Sequence, residues 1–247
     1  MEQFKRVSLL GYEIAAESFA DTGAWVADRL RAGEQTAVFA MNPLKIEAAD
    51  ADPAVAEALR TAELLIPDGA GLLWAAKKLG KKIPERIPGV ELMEEICRLA
   101  AEKGYPIFLY GTTEDNLAAA SATLRERYPG IVIAGTRNGF TGDREGDAAA
   151  IRESGARILF VAMGSPKQEL CISAIRRALP DLLLFQGVGG SIDVLAGAVK
   201  RAPKIWCKLR LEWLWRMLRQ PRRFSQLKTL YKFTRKIRKE SKKEKKS

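Results

Sequence analysis

Ile158-Leu159-Phe160-Val161-Ala162-Met163-Gly164-Ser165-Pro166-Lys167-Gln168-Glu169 is the stretch that decides the fold. A short apolar run reads as a strand buried on both faces. It gives way to a glycine-bearing polar turn, and the turn opens a segment, 166–179, with helical spacing. The same order recurs along the chain. Apolar runs at 7–10, 37–40, 64–66, 107–110, 131–133 and 182–185 alternate with helical patterns such as 91–103 and 114–128. Gly104, Pro129-Gly130, Gly155 and Pro180 supply the stops. Strands alternating with helices predict an α/β fold: a Rossmann-like, mostly parallel sheet with helices on both faces. In such sheets ligands bind outside the carboxyl ends of the strands.

Composition narrows the chemistry. The chain has 247 residues, 47% of them hydrophobic, which is ample for a buried core. It contains no histidine. That excludes Ser-His-Asp and Cys-His nucleophile systems, histidine metal ligands and the usual general base near pH 7. Chemistry must run on carboxylates, lysines, arginines, hydroxyls or backbone dipoles. Cys97, Cys171 and Cys207 are scattered without a C-x-x-C pair, so neither a zinc site nor a disulfide framework is expected. No signal peptide or membrane-spanning run is visible, and a cytoplasmic location is expected.

The net charge of +11 is unevenly placed. Residues 200–247 carry a net +16, whereas the first 199 carry −5. The expected organisation is an α/β core over 1–199, a basic amphipathic helical appendage over 200–238, and a basic disordered tail over 239–247. The core is expected to fold without the appendage. Pro221 divides the appendage into two helices. Phe224, Leu227, Leu230, Tyr231 and Ile237 are read as one apolar face of the second helix, with Lys228, Lys232, Arg235, Lys236 and Lys239 opposite. Basic amphipathic helices with aromatic faces lie on anionic membranes. They also follow phosphate backbones, or simply pack on their own domain. An anionic membrane surface is the reading adopted, and nucleic acid is set aside. An apolar tail away from its membrane also favours self-association, so a homo-oligomer is among the expected partners.

Five loops at strand ends carry polar residues. Asn42-Pro43 follows the run at 37–40, and Pro67-Asp68-Gly69-Ala70-Gly71 follows 64–66. Gly111-Thr112-Thr113-Glu114, Gly164-Ser165-Pro166-Lys167-Gln168 and Gly187-Val188-Gly189-Gly190 follow the later strands. Helix starts with glycine and hydroxyl residues offer free N–H groups to phosphate, although each loop alone is equally a plain turn or cap. Asp68 is the candidate general base, since a carboxylate suits a hydroxyl that loses its proton late in a reaction. Its bland reading is an Asp stabilising its own turn. Arg86, in Pro84-Glu85-Arg86-Ile87-Pro88-Gly89, is a candidate phosphate clamp or a solvated arginine.

These stretches resemble the WecG/TagA/CpsF glycosyltransferases. Further matches are Asn138-Gly139-Phe140, Lys167-Gln168-Glu169, Asp193-Val194-Leu195-Ala196-Gly197, Arg201-Ala202-Pro203, Leu211-Glu212-Trp213-Leu214-Trp215-Arg216 and Gln220-Pro221-Arg222-Arg223. The resemblance covers residues 6–225 in the family's order. It implies an inverting transferase that moves N-acetylmannosamine, or its uronic acid, from UDP onto polyprenyl-diphosphate-linked N-acetylglucosamine. The implied setting is the inner face of the cell membrane, in teichoic acid or related surface-polysaccharide synthesis. It also implies no metal or other cofactor. Asp68 is then the base, with Asn42, Arg86, Gln168, Gly111, Thr112, Gly164, Lys167, Gly187 and Gly189 binding substrate. Arg216, Arg222 and Arg223, with Trp213 and Trp215, are expected at the lipid diphosphate and membrane. Ala40 stands where the family commonly has Thr, and Cys171 where it has an aromatic. The rival functional reading is a non-catalytic membrane scaffold that binds UDP-sugar.

Overall fold

A computed structural model of the chain describes residues 4–199, 203, 206, 212–219 and 224–244. Eight strands form one sheet: β1 (Arg6–Leu9), β2 (Tyr12–Ala15), β3 (Thr36–Met41), β4 (Leu64–Pro67), β5 (Ile107–Gly111), β6 (Ile133–Arg137), β7 (Ile158–Ala162) and β8 (Leu184–Gly187). Their spatial order is β1-β2-β4-β3-β8-β7-β5-β6. All neighbours run parallel except the antiparallel β1–β2 pair. The α/β expectation holds.

Because strand side chains alternate, each central strand feeds two cores. Phe39, Met41, Phe108, Tyr110, Leu159, Val161 and Phe185 point to one. Helices α2 (Pro43–Ala51), α3 (Pro53–Arg60), α4 (Ala70–Lys78), α7 (Arg144–Glu153) and α8 (Lys167–Ile175) supply residues to that side. Val38, Ile107, Leu109, Ile158, Phe160 and Leu184 point to the other. That face is covered by α1 (Phe19–Ala32), α5 (Gly89–Lys103), α6 (Glu114–Arg127) and the short α9 (Ser191–Leu195). Local chemistry sets the helix ends. Pro43 and Pro53 open α2 and α3 behind the caps Asn42 and Asp52, and left-handed Gly33 and Gly104 close α1 and α5.

Two strands lie later than their apolar runs suggest. β6 begins at Ile133 because Ile131 closes a turn, its N–H donating to Tyr128 O at 3.0 Å, and its buried side chain plugs the second core. As an edge strand β6 needs less apolar surface, so the polar Thr136 and Arg137 complete it. β8 starts at Leu184, and it carries the buried polar residue Gln186 through the middle of the sheet.

The C-terminal region departs most from the sequence reading. Helices α10 (Glu212–Arg219) and α11 (Gln226–Glu244) are described, and α11 runs six residues beyond 238, through a segment read as disordered. It also packs on α2 and α4. Phe233 and Ile237 are buried in the first core, and Ser241 Oγ donates to Lys78 O at 3.0 Å. Lys236 pairs with Asp50 at 2.6 Å and Lys232 with the buried Glu47 at 3.0 Å. The apolar face drawn from sequence therefore mixes two stripes. Tyr231 and Ile237, both assigned to it, are six residues apart, hence roughly 120° around the helix, and Ile237 is buried with Phe233, which that face left out, while Tyr231 is exposed. The 199/200 boundary thus does not divide the packing, and the core is not complete without α11.

Phe233→Ala is expected to lower unfolding free energy by about 3–5 kcal/mol, as for other buried phenylalanines. Tyr231→Ser is expected to stay within about 0.5 kcal/mol. Urea denaturation followed by tryptophan fluorescence checks both.

Candidate active site

The carboxyl ends of β4, β3, β8, β7 and β5 stand side by side, so the five polar loops line one crest of the sheet. At about 4.8 Å per strand interval, the four intervals from Asp68 to Gly111 span roughly 19 Å. That length suits an extended ligand. Helices α2, α4, α6 and α8 begin at this crest, and their N-termini turn positive dipole ends toward it.

Asn42 and Asp68 each follow directly on one of two neighbouring strands, β3 and β4. Asn42 caps α2, its Oδ1 accepting from Lys45 N–H at 3.0 Å. The Asp68 backbone N–H donates to Met41 O at 2.9 Å, which ties the two strand ends together. Gly71 lets them approach: a Cβ there would lie 2.7 Å from Pro43 Cγ. The Asp68 carboxylate accepts from Gly89 N–H at 3.2 Å and lies 3.9 Å from Arg86 Nε. Its side chain is 33% exposed, so it is reachable from the cleft. Ala40 lies beneath this group, since a Cβ on Gly89 would come within 3.3 Å of Ala40 Cβ and 3.7 Å of Asp68 Oδ2.

A second cluster lies across β3 from the first. Gln168 is buried, its Oε1 accepting from Gly189 N–H and its Nε2 donating to Glu169 Oε1, both at 2.9 Å. Glu169 is fully buried and pairs with Lys45 Nζ at 2.6 Å. Gly187 must be glycine for this packing, because a Cβ would stand 2.6 Å from Gln168 Nε2. Gly164 has φ 74°, a left-handed turn, and Lys167 is exposed at the start of α8.

Further along the crest, a Cβ on Gly111 would meet Ala162 O at 2.4 Å. Thr112, at φ 50°, donates its hydroxyl to Asp193 Oδ1, which also receives Asn116 Nδ2 at 2.9 Å. The loop after β6 is tied down by the buried Asp147. It accepts from Tyr110 OH, Arg137 Nε and Thr141 Oγ1 at 2.5, 2.6 and 2.7 Å. Burial pushes the Asp147 carboxyl up, but those three hydrogen bonds and the Arg137 charge outweigh it and hold it below its ordinary value.

The sequence model described as "Glycosyl transferase WecG/TagA/CpsF family" matches residues 7–247. The chain belongs to that family.

Of the site residues expected from sequence, the fold brings Asn42, Asp68 and Arg86 into one group. Gln168, Gly187 and Gly189 form the adjoining one, with Gly164 and Lys167 at its edge. Gly111 and Thr112 lie farther along, and the Thr112 hydroxyl is engaged by Asp193. Trp215 is partly buried, its ring 5.5 Å from that of Trp206. The side chains of Trp213 and Arg216, and residues Arg222 and Arg223 altogether, lie outside the described residues. Sequence reasoning missed Lys45, Gly89, Asp147, Glu169, Gln186 and Asp193 as site-shaping residues in this glycosyltransferase. Glu169 had a signal: it sits three residues before Ile172 on the apolar stripe of α8, where an unpaired charge does not belong.

Asp147→Asn removes a carboxylate held below its unfolded value, so the stabilisation is present above the ordinary carboxyl pKa and is lost as pH falls through the folded one. The variant is expected to be destabilised by roughly 1–3 kcal/mol at pH 7. The gap should close progressively below about pH 4, as denaturant titrations at several pH values would record.

Proposed function

We propose that this glycosyltransferase moves N-acetylmannosamine, with inversion, from UDP to the C4 hydroxyl of a polyprenyl-diphosphate-linked N-acetylglucosamine. The product would enter a teichoic acid or related surface polysaccharide. The observation that carries this reading is the Asp68 carboxylate, partly open to the cleft, held by Gly89 N–H beside Asn42 and Arg86. Asp68 takes the proton of the acceptor hydroxyl as that oxygen bonds to the anomeric carbon and the bond to UDP breaks. Arg86, with its Nε 3.9 Å from Asp68 Oδ1, sets a guanidinium charge beside the carboxylate. The amide of Asn42 spends its oxygen on the α2 cap, which leaves its Nδ2 hydrogens to orient a sugar hydroxyl.

The negative charge that develops on the leaving diphosphate needs donors already in place. The α6 and α8 N-termini supply backbone N–H groups along the crest, with Lys167 exposed beside them. Arg216, Arg222 and Arg223 are proposed to close over the lipid diphosphate. Neither metal nor cofactor is part of this proposal.

Attachment to the inner membrane face is proposed through the stripe that α11 leaves uncovered. Leu218, Phe224, Leu227 and Tyr231 are exposed, and Lys228 and Arg235 are exposed on the same helix as the last two. No described helix is long and apolar enough to cross a membrane. Apolar insertion together with basic residues near anionic headgroups, at about 1 kcal/mol each, accounts for peripheral binding.

Two measurements test the reading. UDP release from UDP-N-acetylmannosamine, with acceptor and EDTA present, is expected for the wild type and reduced about 10²–10⁴-fold in Asp68→Asn. Silence across several UDP-sugars would instead support the non-catalytic scaffold. In sedimentation with phosphatidylglycerol vesicles, Leu227→Glu/Tyr231→Glu should bind at least tenfold more weakly than wild type at unchanged thermal stability. Equal binding would remove this stripe from the membrane contact.

A further inference from the structure

Lys45 and Glu169 are an expensive way to fill a core. Lys45 lies in the first turn of α2, where the helix dipole disfavours a cation, and only 6% of its side chain is exposed. Its Nζ sits 5.9 Å from the centroid of the Phe39 ring and 2.6 Å from Glu169 Oε1. Glu169 is wholly buried, and its Oε2 has no hydrogen-bond partner among the described residues. Two apolar side chains of similar volume would fold as well, since replacing a buried ion pair in this way is often neutral or stabilising. What an apolar pair cannot provide is an acceptor for Gln168.

The geometry points to Lys45 and Glu169 as positioning residues that set the Gly187–Gly190 loop through Gln168. Lys45 fixes the Glu169 carboxylate, and Glu169 Oε1 takes the Gln168 Nε2 hydrogen bond. That contact chooses the amide orientation, so Gln168 Oε1 faces Gly189 N–H and holds it at 2.9 Å. The chain crosses three adjacent strand ends, from α2 behind β3 through α8 behind β7 to the loop behind β8. Lys45 N–H is also the donor to Asn42 Oδ1. One residue therefore braces the Asn42 cap with its backbone and the Gly189 loop with its side chain. Neither Lys45 nor Glu169 needs to touch substrate.

This inference rests on the transferase reading only for its activity readout. Lys45→Met/Glu169→Leu in the full chain is expected to fold with a melting temperature near wild type. Its kcat is expected to drop about ten- to a hundredfold, the scale of a loop displaced by about 1 Å, and Gly189 N–H should lose at least tenfold protection in hydrogen exchange. Lys45→Met/Glu169→Gln keeps the acceptor oxygen and is expected to restore kcat and protection to within about threefold. A folded Leu variant with wild-type kcat and protection overturns the proposal. Should the Leu variant not fold, a hundredfold loss of kcat or protection in the Gln variant overturns it. The exchange measurement needs no substrate. A wild type without turnover would therefore sink the transferase reading, while the positioning role is still decided by Gly189.

Discussion

A parallel sheet has no face it can leave to water, and most of this molecule follows from covering both. The seven consecutive parallel strands from β2 to β6 send alternate side chains into two separate cores. One core is covered by helices from the first 199 residues. The other draws Phe233 and Ile237 from α11, which closes over α2 and α4. Those are the helices whose N-termini follow Asn42 and Asp68. The same helix that completes the hydrophobic cover thus braces the elements that follow Asn42 and Asp68.

Polar groups enter this apolar frame chiefly where they shape the crest. On one side, Lys45, Glu169 and Gln168 pass a single line of contacts to Gly189. On the other, buried Gln186 donates its Nε2 to Gly89 O at 3.0 Å, and Gly89 N–H in turn meets Asp68. Both lines begin beside or within β8, the strand with three of the others on either flank apart from the terminal β1. Glycine is required where the first line passes close to backbone, at Gly187, whose added Cβ would stand 2.6 Å from Gln168 Nε2. The supports of the crest loops are buried and hydrogen-bonded.

Much of this was legible in the residues. Short apolar runs such as 158–161 and 107–110 become strands within a residue of their ends, because a strand buried on both faces must be apolar throughout. Asn42 and Asp68 were findable since the crest of a parallel sheet is the one place where its loops can gather. β2 was not, because Tyr12-Glu13-Ile14-Ala15 is a four-residue segment whose pattern is too short to distinguish from a turn. The face of α11 was misread for a related reason. Apolar residues occur on two sides of that helix, and a helical wheel cannot say which one meets the protein.

The sequence by itself determined the α/β class, the family, the strand-end loops and the lack of any histidine chemistry, since each depends on residue types and their local spacing. Only the tertiary structure decided which loops become neighbours. Asp68 meets Gly89 across twenty-one positions, Lys45 meets Glu169 from a different helix, and Lys232 and Lys236 reach back to α2. Contacts of that kind are set by strand order and by which face each helix covers. Neither quantity is periodic along the chain, so no reading of local pattern contains it.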